Sequence, residues 1–170
     1  MSKQQALRFI EADLSHAEHA QAVVRLLNEY ALDPMGGGQA LPAFVQANLA
    51  AELRKRPAAH VLFAMDDEGG DERAVGMLIC IEGFSTFACK PLLNVHDIIV
   101  SASHRQRGIG GQLLAQAEAL ATQLGCCKLT LEVLSGNRGA QKAYRAAGFA
   151  PYELDPQMGS AQFWQKKLAG

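Results

Sequence analysis

With 170 residues, 49% of them hydrophobic and 19% charged, the chain has the make-up of an ordinary globular protein and room for one full core. A formal charge of −1 provides no global attraction to nucleic acid or to an acidic membrane, and neither is expected as a partner. The opening residues, MSKQQALRFIEADLSHAEHA, hold no apolar stretch of signal-peptide type and no run reaches the length of a membrane span, which predicts a cytoplasmic protein.

In chain order, ALRFIEA (Ala6 to Ala12) reads as a short strand. Ser15 to Glu18 matches an S-x-x-E capping box and opens a helix with Ala20, Val23, Val24 and Leu27 at helical spacing. That helix stops at LDPMGGG (Leu32 to Gly38), where proline and glycine break it. A second helix runs from Leu41 to Pro57, with Arg54, Lys55 and Arg56 at its negative end. HVLFAM (His60 to Met65) and AVGMLICIEGF (Ala74 to Phe84) are strands joined by the acidic, glycine-bearing turn DDEGGDE. LLNVHDIIV (Leu92 to Val100) is the next strand. After Gly110 comes a helix with Leu113, Leu114, Ala117, Leu120, Ala121 and Leu124 on one side, closed by Gly125. KLTLEVL (Lys128 to Leu134) alternates as a strand does, and Asn137 to Gly148 is a short helix. FAPYELD and AQFWQKKL form a closing hairpin, whose Phe163 and Trp164 belong either to a core or to an interface.

The expected order is β-α-α-β-β-β-α-β-α-β-β, with no repeat or linker to divide it. This is an α/β (α+β) mixed sheet with helices on both faces, in a single domain over 1–170. The cysteines, Cys80, Cys89, Cys126 and Cys127, show no C-x-x-C spacing, and the adjacent pair makes a poor metal clamp. Neither a metal nor a structural disulfide is expected.

SHRQRGIGGQLL (Ser103 to Leu114) is the informative stretch, a basic turn followed by three glycines directly before a helix. A helix N-terminus offers unpaired N–H groups and the positive end of the helix dipole. Glycine lets the backbone come close to an anion. Arg105, Gln106, Arg107, Gly108, Ile109, Gly110 and Gly111 supply consecutive amides and two positive charges, which suits a phosphate or pyrophosphate. Neither the G-x-x-x-x-G-K-[ST] loop nor the G-x-G-x-x-G fingerprint is present. On the residues alone, the glycines serve either an anion cradle or only a tight turn with close helix packing.

RQRGIG (Arg105 to Gly110) resembles the [R/Q]-x-x-G-x-[G/A] signature of the GNAT superfamily of acyl-CoA N-acyltransferases. NRGAQKAYRAAGF resembles that family's N-x-x-A-x-x-x-Y-x-x-x-G-F through Asn137, Ala140, Tyr144, Gly148 and Phe149. The resemblance covers nearly the whole chain. It implies a GNAT fold with a mixed, mostly antiparallel sheet of about seven strands and acetyl-CoA as acyl donor. Ile98, Ile99 and Val100 would lie along the pantetheine arm, and the turn from Arg105 to Gly111 would hold the pyrophosphate. Asn137 and Ala140, at the start of their helix, would hold the far side of the arm. Tyr144 would protonate the departing thiolate, where a purely local reading leaves it as a packing residue. A homodimer is also implied.

The acceptor would be an amine, protonated at neutral pH and unreactive until it loses a proton. Alternation places Asn94, His96, Ile98 and Val100 on one strand face and Val95, Asp97 and Ile99 on the other. GFSTFACKPLLNVHDIIV is similar to the diamine and thialysine acetyltransferase branch at Ser85, Thr86, Phe87, Pro91 and Asp97. The branch's substrate-facing Glu falls on His96, an imidazole suited to proton transfer near neutral pH. His96, Asp97, Glu132 and water all stand as acceptors of the amine proton. Glu29, Tyr30 and Asp33, beside the glycine-rich loop, are candidates to meet a cationic small-molecule amine, together with His96 and Glu132.

Overall fold

A run of three hydrogen-bonded antiparallel pairs and one parallel pair builds a five-stranded sheet whose strands lie side by side in chain order. In this computed structural model, which describes residues 7–67 and 72–168, the strands are β1 (Arg8–Glu11), β2 (Ala59–Asp66), β3 (Arg73–Ser85), β4 (Lys90–Val100) and β5 (Leu129–Leu131). The α-helices are α1 (Ala17–Leu32), α2 (Ala43–Arg54), α3 (Ile109–Gln123) and α4 (Arg138–Ala146). The chain divides into two compact units, Met1–Leu131 and Glu132–Gly170. Residues 68–71 of the acidic hairpin turn lie outside the described residues, as does Ala6 at the expected start of the first strand.

In the first unit the sheet separates two layers of side chains. On one face Val61, Phe63, Met65, Met77, Ile79 and Ile99 pack with Val23 and Leu26 of α1, while Leu49 and Leu53 of α2 close the layer. On the other face α3 lies against the sheet at Gly76. A Cβ there would stand 3.2 Å from both Ile109 Cγ2 and Leu113 Cδ1, tighter than ordinary contact, so a larger residue would have to push the start of the helix or its side chains aside. Buried Leu113, Leu114, Ala117 and Ala121 form the inner stripe of α3, following the helical spacing of the sequence.

Several expectations are corrected. The capping box does not form: His16 is the N-cap of α1, without a side-chain cap, and Ser15 instead donates its hydroxyl and amide to Asp13 Oδ1. Asp13 wins because its carboxylate, two residues before Ser15, closes a local turn ahead of the helix. Among the described residues the sheet has five strands, where about seven are expected. The expected closing hairpin is reduced to one antiparallel bridge, Glu153↔Ser160, beside a 3-10 turn at Pro156–Met158. Its apolar residues Leu154, Phe163 and Trp164 are exposed, so no buried face holds a ladder there. β5 is likewise shorter than its alternating sequence, ending at Leu131.

Candidate functional site

The glycine turn leaves the end of β4 and enters α3 within a few residues. Ser101 is buried, Ala102–His104 form a 3-10 turn, and Gln106 and Gly108 adopt left-handed backbone at φ 63° and 76°. Gln106 is unusual there, because a Cβ makes this conformation costly. Side chains anchor the base of the turn. Glu29 accepts from the Ser101 hydroxyl at 2.9 Å and from the Ala102 amide at 2.7 Å. Buried His104 bonds Asp66 at 3.1 Å through Nε2 and the Ser103 hydroxyl at 2.7 Å through Nδ1. Arg105 donates from Nε to the Val100 carbonyl at 3.1 Å and from Nη1 to Asp33 at 3.0 Å.

The rim of the turn differs from its base. No described carbonyl or side chain accepts from the amides of Gln106 through Gly111, the orphan donors of a helix start. Gly108, Gly110 and Gly111 have nothing within 4 Å of where a Cβ would stand. Gly108 needs its left-handed φ for the turn, but Gly110 and Gly111 are helical and face open space. Packing and turn geometry leave those two glycines without a reason. Close approach of an anion to the free amides supplies one, and the residues therefore fit a diphosphate.

β4 carries the next element of the site. Its pairing with β5 covers only Leu93, Asn94 and Val95, so from His96 to Val100 that edge of the strand has no ladder partner within the first unit. The same point holds a β-bulge: Val95 pairs with Cys80 and Asp97 with Ile79, leaving His96 as the extra residue. The expected alternation therefore holds from Asp97 to Val100 and fails across His96, where Asn94 and Val95 change sides. Residues opposite one another share a face, so Val95 joins Cys80 and Ile98 on the α3 side, while Asp97 and Ile99 join Ile79 on the α1 side. His96 is exposed, Ile98 and Val100 are half-buried, and the Ile99 side chain lies in the core layer. Burial pushes the Asp97 carboxyl above its usual range, with His96 pulling the other way. Burial also raises the Tyr30 hydroxyl, aided by the negative charges of Asp97 and Asp33. Tyr30, Asp33 and Asp97 are thus one electrostatic neighbourhood.

The remaining candidates lie partly where the sequence puts them. Glu29 and Asp33 are engaged by the glycine turn. Hydrogen bonds from the Met35 amide and from Arg105 hold the Asp33 carboxyl below its usual range. Glu132 does not stand on a strand: it follows the end of β5, exposed, in the second unit. Within that unit Asn137 is the N-cap of α4, accepting from the Ala140 amide at 3.1 Å. Tyr144, half-buried on α4, meets the Phe149 ring edge-on at 6.1 Å between centroids. The His104–Asp66 pair was not foreseen. Its only signal in the sequence was a histidine inside the basic turn and an aspartate ending a strand.

Among the described residues no helix is long and apolar enough to cross a membrane, and no cluster of three or more His, Cys, Asp or Glu is arranged to hold a metal ion. The fold is that of acetyltransferase structures. A solved probable acetyltransferase superposes with a TM-score of 0.75 at 21% identity, covering 96% of this chain and 99% of its own. An aminoglycoside acetyltransferase from an uncultured soil metagenomic sample, solved in complex with sisomicin, does so with a TM-score of 0.71 at 18% identity, covering 95% and 97%.

Residues 21–149 match the model of the acetyltransferase (GNAT) family, and the chain belongs to that family. It is also 38% identical over 96 residues to streptothricin acetyltransferase of Streptomyces lavendulae, covering 53% of this chain and 51% of that protein. The chain thus spans about half the length of this curated relative.

Proposed function

We propose that the chain moves an acetyl group from acetyl-CoA to a primary amine of a basic small molecule, as one catalytic domain over 1–170. The observation that carries this reading is the pair Gly110 and Gly111, helical glycines beside open space on a run of free amides. Acetyl-CoA is the donor that the family implies. The diphosphate lies on the amides from Gln106 to Gly111, with Arg105 and Arg107 adding charge. The pantetheine arm runs beside Ile98, Ile99 and Val100, along the edge of β4 that β5 leaves without a ladder partner within the first unit, where the backbone can offer strand-like hydrogen bonds. The family resemblance adds Asn137 and Ala140 as further donor-binding residues.

In the reaction the amine nitrogen attacks the thioester carbonyl, forming the C–N bond as the C–S bond breaks. Tyr144 gives its proton to the leaving thiolate and regains one, through solvent, as the new amide nitrogen sheds its second proton. His96, exposed at the bulge, takes the proton from the ammonium group, and the carboxylate of Asp97 beside Tyr30 draws that cation in. The small-molecule acceptor is supported by the relatives named for streptothricin and aminoglycosides. The diamine-branch pattern at Ser85, Thr86, Phe87, Pro91 and Asp97 supports a basic one.

The test is incubation with acetyl-CoA and a panel of polyamines, lysine analogues, aminoglycosides, streptothricin-type amines and peptide N-termini, with products read by mass. One small-molecule class should be acetylated. Tyr144→Phe should lower kcat by about a hundredfold or more, and Asp97→Asn should raise KM for the amine. Acetylation of peptide N-termini alone would replace the acceptor class, and a chain that binds no CoA would overturn the reading.

A further inference from the structure

The glycine turn is held from one side by the C-terminal end of α1, through two carboxylates that the sequence placed at the acceptor. Both oxygens of Glu29 accept hydrogen bonds from the root of the turn, Oε2 from the Ser101 hydroxyl and Oε1 from the Ala102 amide. Both oxygens of Asp33 are likewise engaged, Oδ1 by the Met35 amide and Oδ2 by Arg105 Nη1. An ammonium group approaching either residue would compete with bonds already made.

Arg105 is fixed at two points, by the Val100 carbonyl and by Asp33, while its side chain remains 46% exposed. A guanidinium carries five N–H donors, and these bonds use two, so three are left for a ligand. Arg107, two residues on, has no ion-pair partner among the described residues and is exposed. The turn therefore presents one cation whose direction is set by the protein and one that is not. Asp33 is also the first residue of the loop Asp33 to Gln39, capping both the end of α1 and the 3-10 turn Pro34–Gly36.

We propose that Asp33 and Glu29 are positioning residues for the donor: through Arg105 and Ser101–Ala102 they set the turn for a diphosphate before the ligand arrives. This rests on the acetyl-CoA reading above. Fixing the guanidinium in advance removes ordering cost from the binding step, which is where preorganisation yields affinity. It also ties the loop after α1 to the donor site.

The experiment is calorimetric titration of CoA into wild type, Asp33→Asn, Arg105→Gln, Arg107→Gln and the doubles that combine Asp33→Asn with each arginine change, with KM values for acetyl-CoA and the amine measured alongside. Asp33→Asn should weaken CoA about fivefold, the scale of one partly exposed charge-assisted contact. It should leave the amine KM within about twofold, and Asp33→Glu should restore much of the loss. On the Arg105→Gln background the Asp33 change should add nothing, whereas on the Arg107→Gln background it should cost its full factor. Should Asp33→Asn fail to fold, Glu29→Gln carries the same split between donor and acceptor KM. A rise in amine KM with CoA affinity intact would overturn the proposal, as would an equal loss on both arginine backgrounds. If wild type itself binds no CoA, the acetyl-CoA reading fails first and this one with it.

Discussion

Replacing Gly111 by alanine should make the protein more stable and a poorer binder of CoA. Gly111 is the third residue of α3, its φ is not left-handed, and a Cβ there meets nothing within 4 Å. Alanine then stabilises the helix by about 0.5–1 kcal/mol, because glycine loses more backbone freedom on folding. For a chain of this size the melting temperature should rise by roughly 1–4 °C. The same methyl group stands where a diphosphate has to approach the free amides. Loss of one charge-assisted N–H bond, about 1.5–3 kcal/mol, weakens CoA by about tenfold or more. Differential scanning calorimetry without ligand and titration of CoA read the two effects separately. A stabilised variant with unchanged affinity would refute the idea that the glycine is kept for a ligand. A destabilised one would show that the space beside it is not open.

Gly76→Val tests the opposite kind of glycine: its side chain would press on Ile109 and Leu113 at the start of α3. Overpacking of this type costs about 1–3 kcal/mol, so melting temperature and CoA affinity should fall together; a neutral variant would mean that α3 is not seated on Gly76. A pH dependence arises at His60, which bonds Glu82 at 2.7 Å and Glu11 at 3.1 Å. Burial lowers its pKa, but the bonds to Glu82 and Glu11 outweigh this and leave it above the usual 6.5. The protonated form is therefore favoured by folding, and its contribution is present below 6.5 and lost as pH rises through the higher folded value. The stability gap between wild type and Glu82→Gln in urea titrations should be larger at pH 6 than at pH 8; a gap that grows with pH would contradict the assignment.

What was legible in the sequence was local. The turn at Gln106 and Gly108, the inner stripe of α3 and the cap at Asn137 each depend on residues a few positions apart, and the pattern of glycines and apolar residues announces them. The bulge at His96 was not legible, because it is a mismatch between β4 and the partner residues Ile79 and Cys80, and nothing in NVHDIIV shows where the opposite strand slips. The pairing of Asp33 with Arg105 spans 72 positions. An acidic residue beside a flexible loop reads equally well as a contact for a cationic substrate. The closing strands failed for a further reason: alternation proposes a face, and a strand also needs neighbours to cover it.

The extra residue in β4 makes one position of the strand independent of the rest. A residue in a regular ladder is judged by its cross-strand partner, and most replacements disturb packing on one face or the other. His96 has no partner opposite it and no place in the core layer, so changes there are nearly free of folding cost while the flanking Val95 and Asp97 stay locked to Cys80 and Ile79. A lineage that keeps this scaffold can try many side chains at position 96 and still inherit the same donor site. If the proposed acceptor role of position 96 holds, this is where the acceptor side can change without disturbing the sheet.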